Sequence, residues 1–294
     1  MNKTQIPFIT VLGIAQDGGV PHCGCQRSCC RAAWQDLSKH FHATSIAIID
    51  PVAKQRWLIE ATPDLKFQLA RLDEVSTTNK HQNPVDGIFI THGHIGHYTG
   101  LLFLEKSVLN TKDCVVYVMP KMREFLQNNR PWKDLVEMHH IRLISLIERG
   151  KVLLNERISL IPFLIPHRAD REYSETVGFQ IKGPNKSILF LPDVDTWATL
   201  FPSIEELIST ADIAFIDGTF FDASELVYRN IKEVPHPFVR DSIKGFNRLS
   251  KRERGKINFI HMNHTNPLLA QTIQRQRVLA KGFCVAKEKS NFLI

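Results

Sequence analysis

The chain has 294 residues, 43% of them hydrophobic and 23% charged, a balance that allows a sizeable core and excludes disordered and collagen-like polymers. Lys and Arg number 37 against 30 Asp and Glu, for a net charge of +7. No apolar run approaches the roughly 20 residues that a membrane-spanning helix needs, so no membrane partner is expected.

The apolar stretch 6–15 is broken by Pro7 and Thr10 and followed by Gln16-Asp17-Gly18-Gly19. Lacking a small-residue cleavage pattern, it reads as a first strand rather than a signal peptide, and a cytoplasmic protein is expected. Residues 45–50 and 57–61 read as paired strands with 51–55 as their turn. Thr62-Pro63-Asp64 then opens a helix, with Thr62 as N-cap and Pro63 in its first position. Strands follow at 87–91 and 115–119, with helices at 100–109 and 120–128; the partly helical, mixed-charge segment 109–147 is a candidate lid or insertion. Further strands are read at 158–166, 177–181, 187–192, 213–217 and 257–260, and helices at 203–210, at 238–249 and from Pro267. Alternating strands and helices with several adjacent strands predict a mixed-sheet layered α/β domain. No repeat or linker divides the chain, so one domain over 1–294 is expected.

Much of the positive charge lies in 240–256 and 275–281. It would steer an anionic small molecule, or RNA, toward the protein. Phe246 is the one aromatic residue in these two stretches, too few to make a run of stacking platforms, which favours a solvated helix face over nucleic-acid binding. A small-molecule substrate is the expected partner, with a homodimer left open.

Chemistry concentrates in Thr91-His92-Gly93-His94-Ile95-Gly96-His97, directly after an apolar strand. Three imidazoles within six residues of a tight turn can converge on one or two cations, and neutral imidazole suits zinc, iron, manganese and copper. Gly93 and Gly96 are expected to let the backbone turn closely. Three more strand ends carry candidate ligands: His167, Asp193 and His261. A carboxylate among imidazoles can bridge two metals or orient a bound water. A bound metal lowers the pKa of its water to about 7, giving hydroxide for attack on a phosphorus or carbonyl centre.

Four of the six cysteines, Cys23, Cys25, Cys29 and Cys30, fall within eight residues. Such soft thiolates suit a closed tetrahedral zinc site, with His22 as a further possible ligand; redox-active thiols are the alternative. Cys114 and Cys284 stand in apolar segments and read as core residues.

The order His-x-His-x-x-His, later His, later Asp, late His resembles the metallo-β-lactamase superfamily. It is most similar to the coenzyme PQQ synthesis protein B group. Segments that carry the likeness are Val11-Leu12-Gly13, the cysteine cluster, Ala61-Thr62-Pro63-Asp64-Leu65, His97-Tyr98-Thr99-Gly100-Leu101, Ile216-Asp217-Gly218-Thr219-Phe220 and Phe259-Ile260-His261-Met262-Asn263-His264-Thr265-Asn266-Pro267. The resemblance implies an αββα sandwich, an active-site centre of zinc, manganese or iron on His92, His94, His97, His167, Asp193 and His261, and a metal-bridging role for Asp193 if two ions bind. It also implies a structural zinc on three of the cysteines closed by a late residue: Cys23, Cys25 and either Cys29 or Cys30, with His264. His236 would serve as an acid for the leaving group, and Asp217 would hold a ligand imidazole in its tautomer.

Two departures bear on activity. Hydrolytic members carry Asp just before the last histidine of the motif, where this chain has Gly96, so a second metal position lacks that oxygen ligand. Members of the synthesis protein B group commonly lack the first two histidines, which this chain retains. The resemblance thus implies a metallo-hydrolase with a phosphodiester or other ester as substrate. An iron-dependent oxidative enzyme on a small aromatic substrate and a non-catalytic metal-binding carrier are the alternatives.

Overall fold

Strands form where β-branched and aromatic residues run together, and their alternation decides the layering. The computed structural model describes residues 5–76, 82–167, 173–226, 230 and 233–294. In the first half lie β1 (Phe8–Gly13), β2 (Ser45–Asp50), β3 (Gln55–Ile59), β4 (Gly87–Phe89), β5 (Cys114–Val118) and β6 (Ile141–Ser145). The second half holds β7 (Val152–Leu153), β8 (Ser159–Leu164), β9 (Val177–Lys182), β10 (Ser187–Leu191), β11 (Ile213–Asp217), β12 (Ile257–Ile260), β13 (Cys284–Val285) and β14 (Asn291–Leu293). Among the described residues these make two seven-stranded sheets, β14-β1-β2-β3-β4-β5-β6 and β13-β12-β11-β10-β9-β8-β7. Both are mixed: β1 to β3 and β7 to β10 pair antiparallel, whereas β3 to β6 and β10 to β13 pair parallel.

The period of two sorts each strand's side chains into two cores. Ile46 and Ile48 of β2, Trp57 and Ile59 of β3 and Phe89 of β4 join Phe179, Phe190, Phe215 and Phe259 from the other sheet. The intervening Ala47, Ile49, Leu58 and Ile88 instead meet Leu65, Leu69 and Leu72 of the helix Leu65–Val75 and Met122 and Leu126 of the helix Pro120–Asn128. On the second sheet, the helices Ile204–Thr210 and Val239–Gly245 bury Ile204, Ile208, Val239 and Ile243. Helix, sheet, sheet and helix stack in that order, the αββα sandwich.

Several local expectations shift. The helix expected to start behind Thr62 begins at Leu65 with Asp64 in the cap position. The Thr62 hydroxyl instead accepts from the Asp64 backbone N–H at 3.1 Å and donates to Gln68 Oε1 at 2.9 Å. Residues 100–109 form only a 3₁₀ segment, Thr99–Leu104, and 238–249 break into Val239–Gly245 and a 3₁₀ turn Phe246–Arg248. The expected lid at 109–147 is scaffold: β5 and β6 are paired in register from Cys114 with Ile141 to Val118 with Ser145, and two helices cross between them. Cys114 is buried as expected, but Cys284 is part-exposed. The basic stretch 240–256 is a solvated face, where Arg240 and Lys244 pair with Asp241 and Arg248 with Glu205. Among the described residues no helix is long and apolar enough to cross a membrane.

This topology positions chemistry at one edge. Because β10, β11 and β12 run parallel, their carboxyl ends open together, placing Asp193, Asp217 and His261 side by side. The end of β4 in the opposite sheet contributes the histidine motif, and β8 leads to His167.

Candidate metal centres

Asp193 is the hub. Its carboxylate is almost fully buried and lies 3.3 Å from His92 Nε2, 3.6 Å from His94 Nδ1, 3.8 Å from His97 Nε2, 3.3 Å from His167 Nδ1 and 4.0 Å from His261 Nε2. Every residue expected at the active-site centre therefore converges on one carboxylate. The donors fall into two groups whose ligand atoms lie within 4.8 Å of one another: His92, His94, His167 and Asp193, and separately His97, His261 and Asp17.

Asp17 was not anticipated from the sequence, where Gln16-Asp17-Gly18-Gly19 looks like turn chemistry after β1. Its Oδ1 lies 3.3 Å from His97 Nε2 and 3.4 Å from His261 Nε2. The expected role of the two motif glycines also changes. Neither Gly93 nor Gly96 has the positive φ that would demand glycine. What they provide is room: a Cβ on Gly93 would meet Tyr173 Cε2 at 2.6 Å, and one on Gly96 would meet Asp17 at 2.4 Å.

A further set of side chains fixes the imidazoles. Glu60, fully buried at the end of β3, accepts from the Thr91 hydroxyl at 2.5 Å and faces His97 Nδ1 at 3.2 Å. Thr91 Oγ1 in turn lies 2.8 Å from His92 Nδ1, so Glu60 orients two histidines of the motif. Asp195 lies 2.8 Å from His167 Nδ1, and Thr219 Oγ1 lies 3.0 Å from His261 Nδ1. Holding one ring nitrogen points the other at a metal and raises its basicity. Glu60 and His261 carry positive φ values of 78° and 64°, a conformation that costs non-glycine residues about 1–3 kcal/mol and collects at functional sites. His236, expected as an acid for the leaving group, is buried: its Nδ1 sits 2.8 Å from Asp217 Oδ2 and 3.5 Å from Asp193 Oδ1. Asp217 also accepts from the backbone N–H groups of Val194 and Thr219 at 2.9 and 2.8 Å. The imidazole that Asp217 meets is that of His236, and not that of one of the six expected ligands.

The site is a buried set of mutually compensating charges: burial opposes charge on His97, yet Glu60 and Asp17 hold it well above the usual histidine range. Burial opposes charge on Asp193, yet the surrounding His167, His261 and His236 hold its carboxyl well below the usual range. Burial likewise opposes the Asp17 carboxylate, and His261 and His97 overcome it. His92 is pushed well below the usual histidine range by burial and by His97, which favours the neutral, ligating form. Ring nitrogens crowd together, with His94 Nδ1 2.8 Å from His92 Nε2 and 3.1 Å from His167 Nε2. Among buried atoms without a hydrogen-bond partner are His94 Nε2, both ring nitrogens of His97, His261 Nε2, Asp17 Oδ1 and Asp193 Oδ1. Buried polar atoms are otherwise almost always satisfied, so orphans of complementary chemistry around one point fit a divalent metal.

The cysteine cluster is a second, different set. Cys25, Cys29, Cys30 and His264 place four ligand atoms within 4.8 Å of one another. Cys29 and Cys30 Sγ lie 3.5 and 3.3 Å from His264 Nδ1, and Cys25 Sγ lies 3.8 Å from Cys29 Sγ. Both members of the adjacent pair take part, and Cys23, expected among the ligands, is exposed and outside the group. The reason is local: the short helix Ser28–Arg31 turns both Cys29 and Cys30 toward His264. His22 is not a donor either; its backbone N–H points to Cys30 Sγ at 3.3 Å and its ring stacks on His264 at 4.4 Å.

A cleft of about 750 Å³ opens onto the first centre, lined by Asp17, His94 and Asp193 with His22, Arg27 and Glu225 on its walls. Burial pushes Glu225 up to about 7, although it accepts from Thr265 Oγ1 at 2.7 Å.

This fold and centre define a class, and the chain belongs to it: the beta-lactamase superfamily domain matches residues 55–281. Within that superfamily the chain resembles Coenzyme PQQ synthesis protein B. The protein of that name from Methylorubrum extorquens strain AM1 is 24% identical over 305 residues, spanning 95% of this chain and 97% of the relative. The crystal structure of Zn(2+)-bound PqqB from Methylobacterium extorquens superimposes with a TM-score of 0.82 at 22% identity, covering 98% of this chain and all of that one. A diphosphatase from the PhnP family follows at a TM-score of 0.67 and 20% identity, covering 98% of this chain and 97% of that one. At these identities the structural likeness establishes the fold.

Proposed function

We propose that this protein is a metal-dependent hydrolase of a small anionic phosphodiester. The observation that carries this reading is the ring of buried, unpartnered imidazole and carboxylate atoms around Asp193 at the floor of an open cleft. A divalent zinc or manganese ion held there supplies Lewis acidity and lowers the pKa of water to about 7. Arg27, on the cleft wall, supplies a cation for the substrate's negative charge. His236, with Nδ1 fixed by Asp217 beside Asp193, is the candidate acid for the leaving oxygen. Cys25, Cys29, Cys30 and His264 hold a structural zinc, a closed Cys₃His set. A metal held by three cysteines needs them reduced, and a reducing compartment such as the cytoplasm suits such a cluster. The diphosphatase neighbour gives phosphorus chemistry a precedent on this fold.

A second reading is an iron-dependent oxidation of a small aromatic substrate. It is supported by likeness to Coenzyme PQQ synthesis protein B and by an imidazole-rich donor set that suits iron.

The test is metal content, by element, of protein purified without added metal, beside a His94→Ala, His97→Ala variant, with turnover of bis(p-nitrophenyl) phosphate. Zinc or manganese lost in the variant together with hydrolysis supports the first reading. Iron lost, with turnover requiring oxygen, supports the second. Identical metal content in both proteins overturns both.

A further inference from the structure

We infer that Asp17 supplies the carboxylate of a second metal position, taking from the first loop the place that Gly96 leaves empty within the histidine motif. This rests on the metal-dependent reading above and adds to it a second ion on His97, His261 and Asp17, with Asp193 between the two positions.

Steric exclusion is the first argument. A Cβ built on Gly96 falls 2.4 Å from Asp17 Cα and 2.5 Å from both its Cβ and its Cγ. No real Cβ comes so close, and the obstacle includes backbone, so a side chain at 96 and the present course of residue 17 cannot coexist. The two positions therefore compete for one volume. A chain that places its carboxylate on the loop must have glycine in the motif.

Donor geometry is the second argument. Asp17 Oδ1 is buried, has no hydrogen-bond partner, and lies 3.3 and 3.4 Å from two ring nitrogens that are equally buried and unpartnered. His261 is held by its other nitrogen through Thr219, and Glu60 faces the other nitrogen of His97 at 3.2 Å, so the Nε2 atoms of both rings are turned toward this point. Asp193 Oδ2 closes the far side at 3.8 and 4.0 Å from the same two nitrogens. Two imidazoles and two carboxylates make a hard, net-neutralising cage for a divalent ion.

Rigidity is the third. The loop bearing Asp17 is stitched to the strand end bearing His261, by Gln16 N–H to the Met262 carbonyl at 2.9 Å and Met262 N–H to the Ile14 carbonyl at 2.8 Å. Gly19 N–H returns to the Gln16 carbonyl at 2.8 Å and closes the turn. Asp17 and His261 are consequently one unit, as two ligands of one ion need to be.

The experiment is metal stoichiometry on the full chain for the parent, Asp17→Asn, and the relocation variant Asp17→Gly, Gly96→Asp. Manganese-loaded samples are examined in parallel by electron paramagnetic resonance for the exchange-coupled signal of a manganese pair. The parent is expected to hold two ions at the histidine centre and show the coupled signal. Asp17→Asn keeps one ion and gives an isolated-manganese spectrum, with second-ion affinity down at least about tenfold. Relocating the carboxylate restores the second ion and the coupled signal only as the glycine-substituted loop shifts clear of residue 96, because the Cα of residue 17 also obstructs a Cβ there. Full second-ion binding in Asp17→Asn overturns the proposal, as does a single ion in the parent that Asp17→Asn leaves untouched. If the parent binds nothing beyond the cysteine cluster, the hydrolase reading itself fails, an outcome distinct from either. Asp17→Asn is isosteric at the surface of the cleft, so the test stands even if the relocation variant does not fold.

Discussion

Two clusters of ligating side chains meet within the segment from His261 to His264, and they are built on opposite plans. The centre around Asp193 is assembled from the ends of five strands, opens on a cleft, and leaves several donor atoms buried without partners. The cluster of Cys25, Cys29, Cys30 and His264 is assembled from a loop and one turn, takes soft thiolates, and has its histidine packed flat against His22. An open set with hard donors keeps room for a water and a substrate, whereas a closed set of four leaves none. The three-residue step between the two histidines is short enough that the closed cluster fixes the loop from which the open one takes Asp17. One is built for reaction and the other for holding the first loop to the last strands.

Mutations should separate these plans, with the largest effect at the hub. Asp193→Asn keeps the shape of the side chain but removes the charge that faces five of the expected ligands. We expect loss of hydrolysis on the order of 10³-fold with unchanged far-ultraviolet circular dichroism and retained cysteine-bound metal. Normal activity in that variant would break the assignment of roles. Cys30→Ala should give the opposite pattern: a melting temperature lower by roughly 5–10 °C, as expected for a lost structural ion worth a few kcal/mol, and stability that no longer responds to chelator. A variant with unchanged melting and unchanged zinc would make the cysteines a thiol cluster and not a metal site. Glu60→Gln ranks third. The amide still accepts from Thr91 but no longer draws the His97 Nδ1 proton with a full charge, so metal affinity at the histidine centre should fall about 10- to 100-fold while the fold persists. Titration with a chromogenic chelator measures it.

Legibility in the sequence followed where ligands lie relative to strand ends. His92, His94, His97, His167, Asp193 and His261 each follow an apolar run, and that is the signature of a side chain delivered by a sheet edge; all six converge. The layered fold was readable for the same reason, since the β2, β3 and β4 runs alternate between two cores. Asp17 was not, because its function depends on a vacancy at residue 96, and no local pattern links the two. Glu60 left a trace, a carboxylate closing the apolar run 57–59, which a reading for charges at strand ends would have caught. The cysteine ligands could be named as a set but not chosen, because only the turn of Ser28–Arg31 decides that Cys29 and Cys30 both face His264 and Cys23 does not. The supposed lid failed for a related reason: β6 is a short edge strand whose exposed Arg142 alternates with buried Ile141 and Leu143, and mixed charge there records one solvated face, not mobility.

The smallest expected effect lies on the cleft wall between the two clusters, at Glu225. Burial raises its pKa from 4.5 to about 7, against the pull of its hydrogen bonds from Thr265 and the backbone of Phe221. The unfolded chain loses this proton near the ordinary value and the folded chain holds it to about 7. Between those values the folded state binds more protons, so stability falls as pH rises through that window and levels off above it. The slope from this one group is at most about 1.4 kcal/mol per pH unit, and partial access to the cleft reduces it. Glu225→Gln removes the proton equilibrium while keeping an acceptor for Phe221. Chemical denaturation from pH 5 to 8 should therefore show the variant gaining on the parent as pH rises, with the two converging toward pH 5. A constant difference across the range would mean that Glu225 is already ionised in the folded protein, and that the cleft wall is as well solvated as the surface around it.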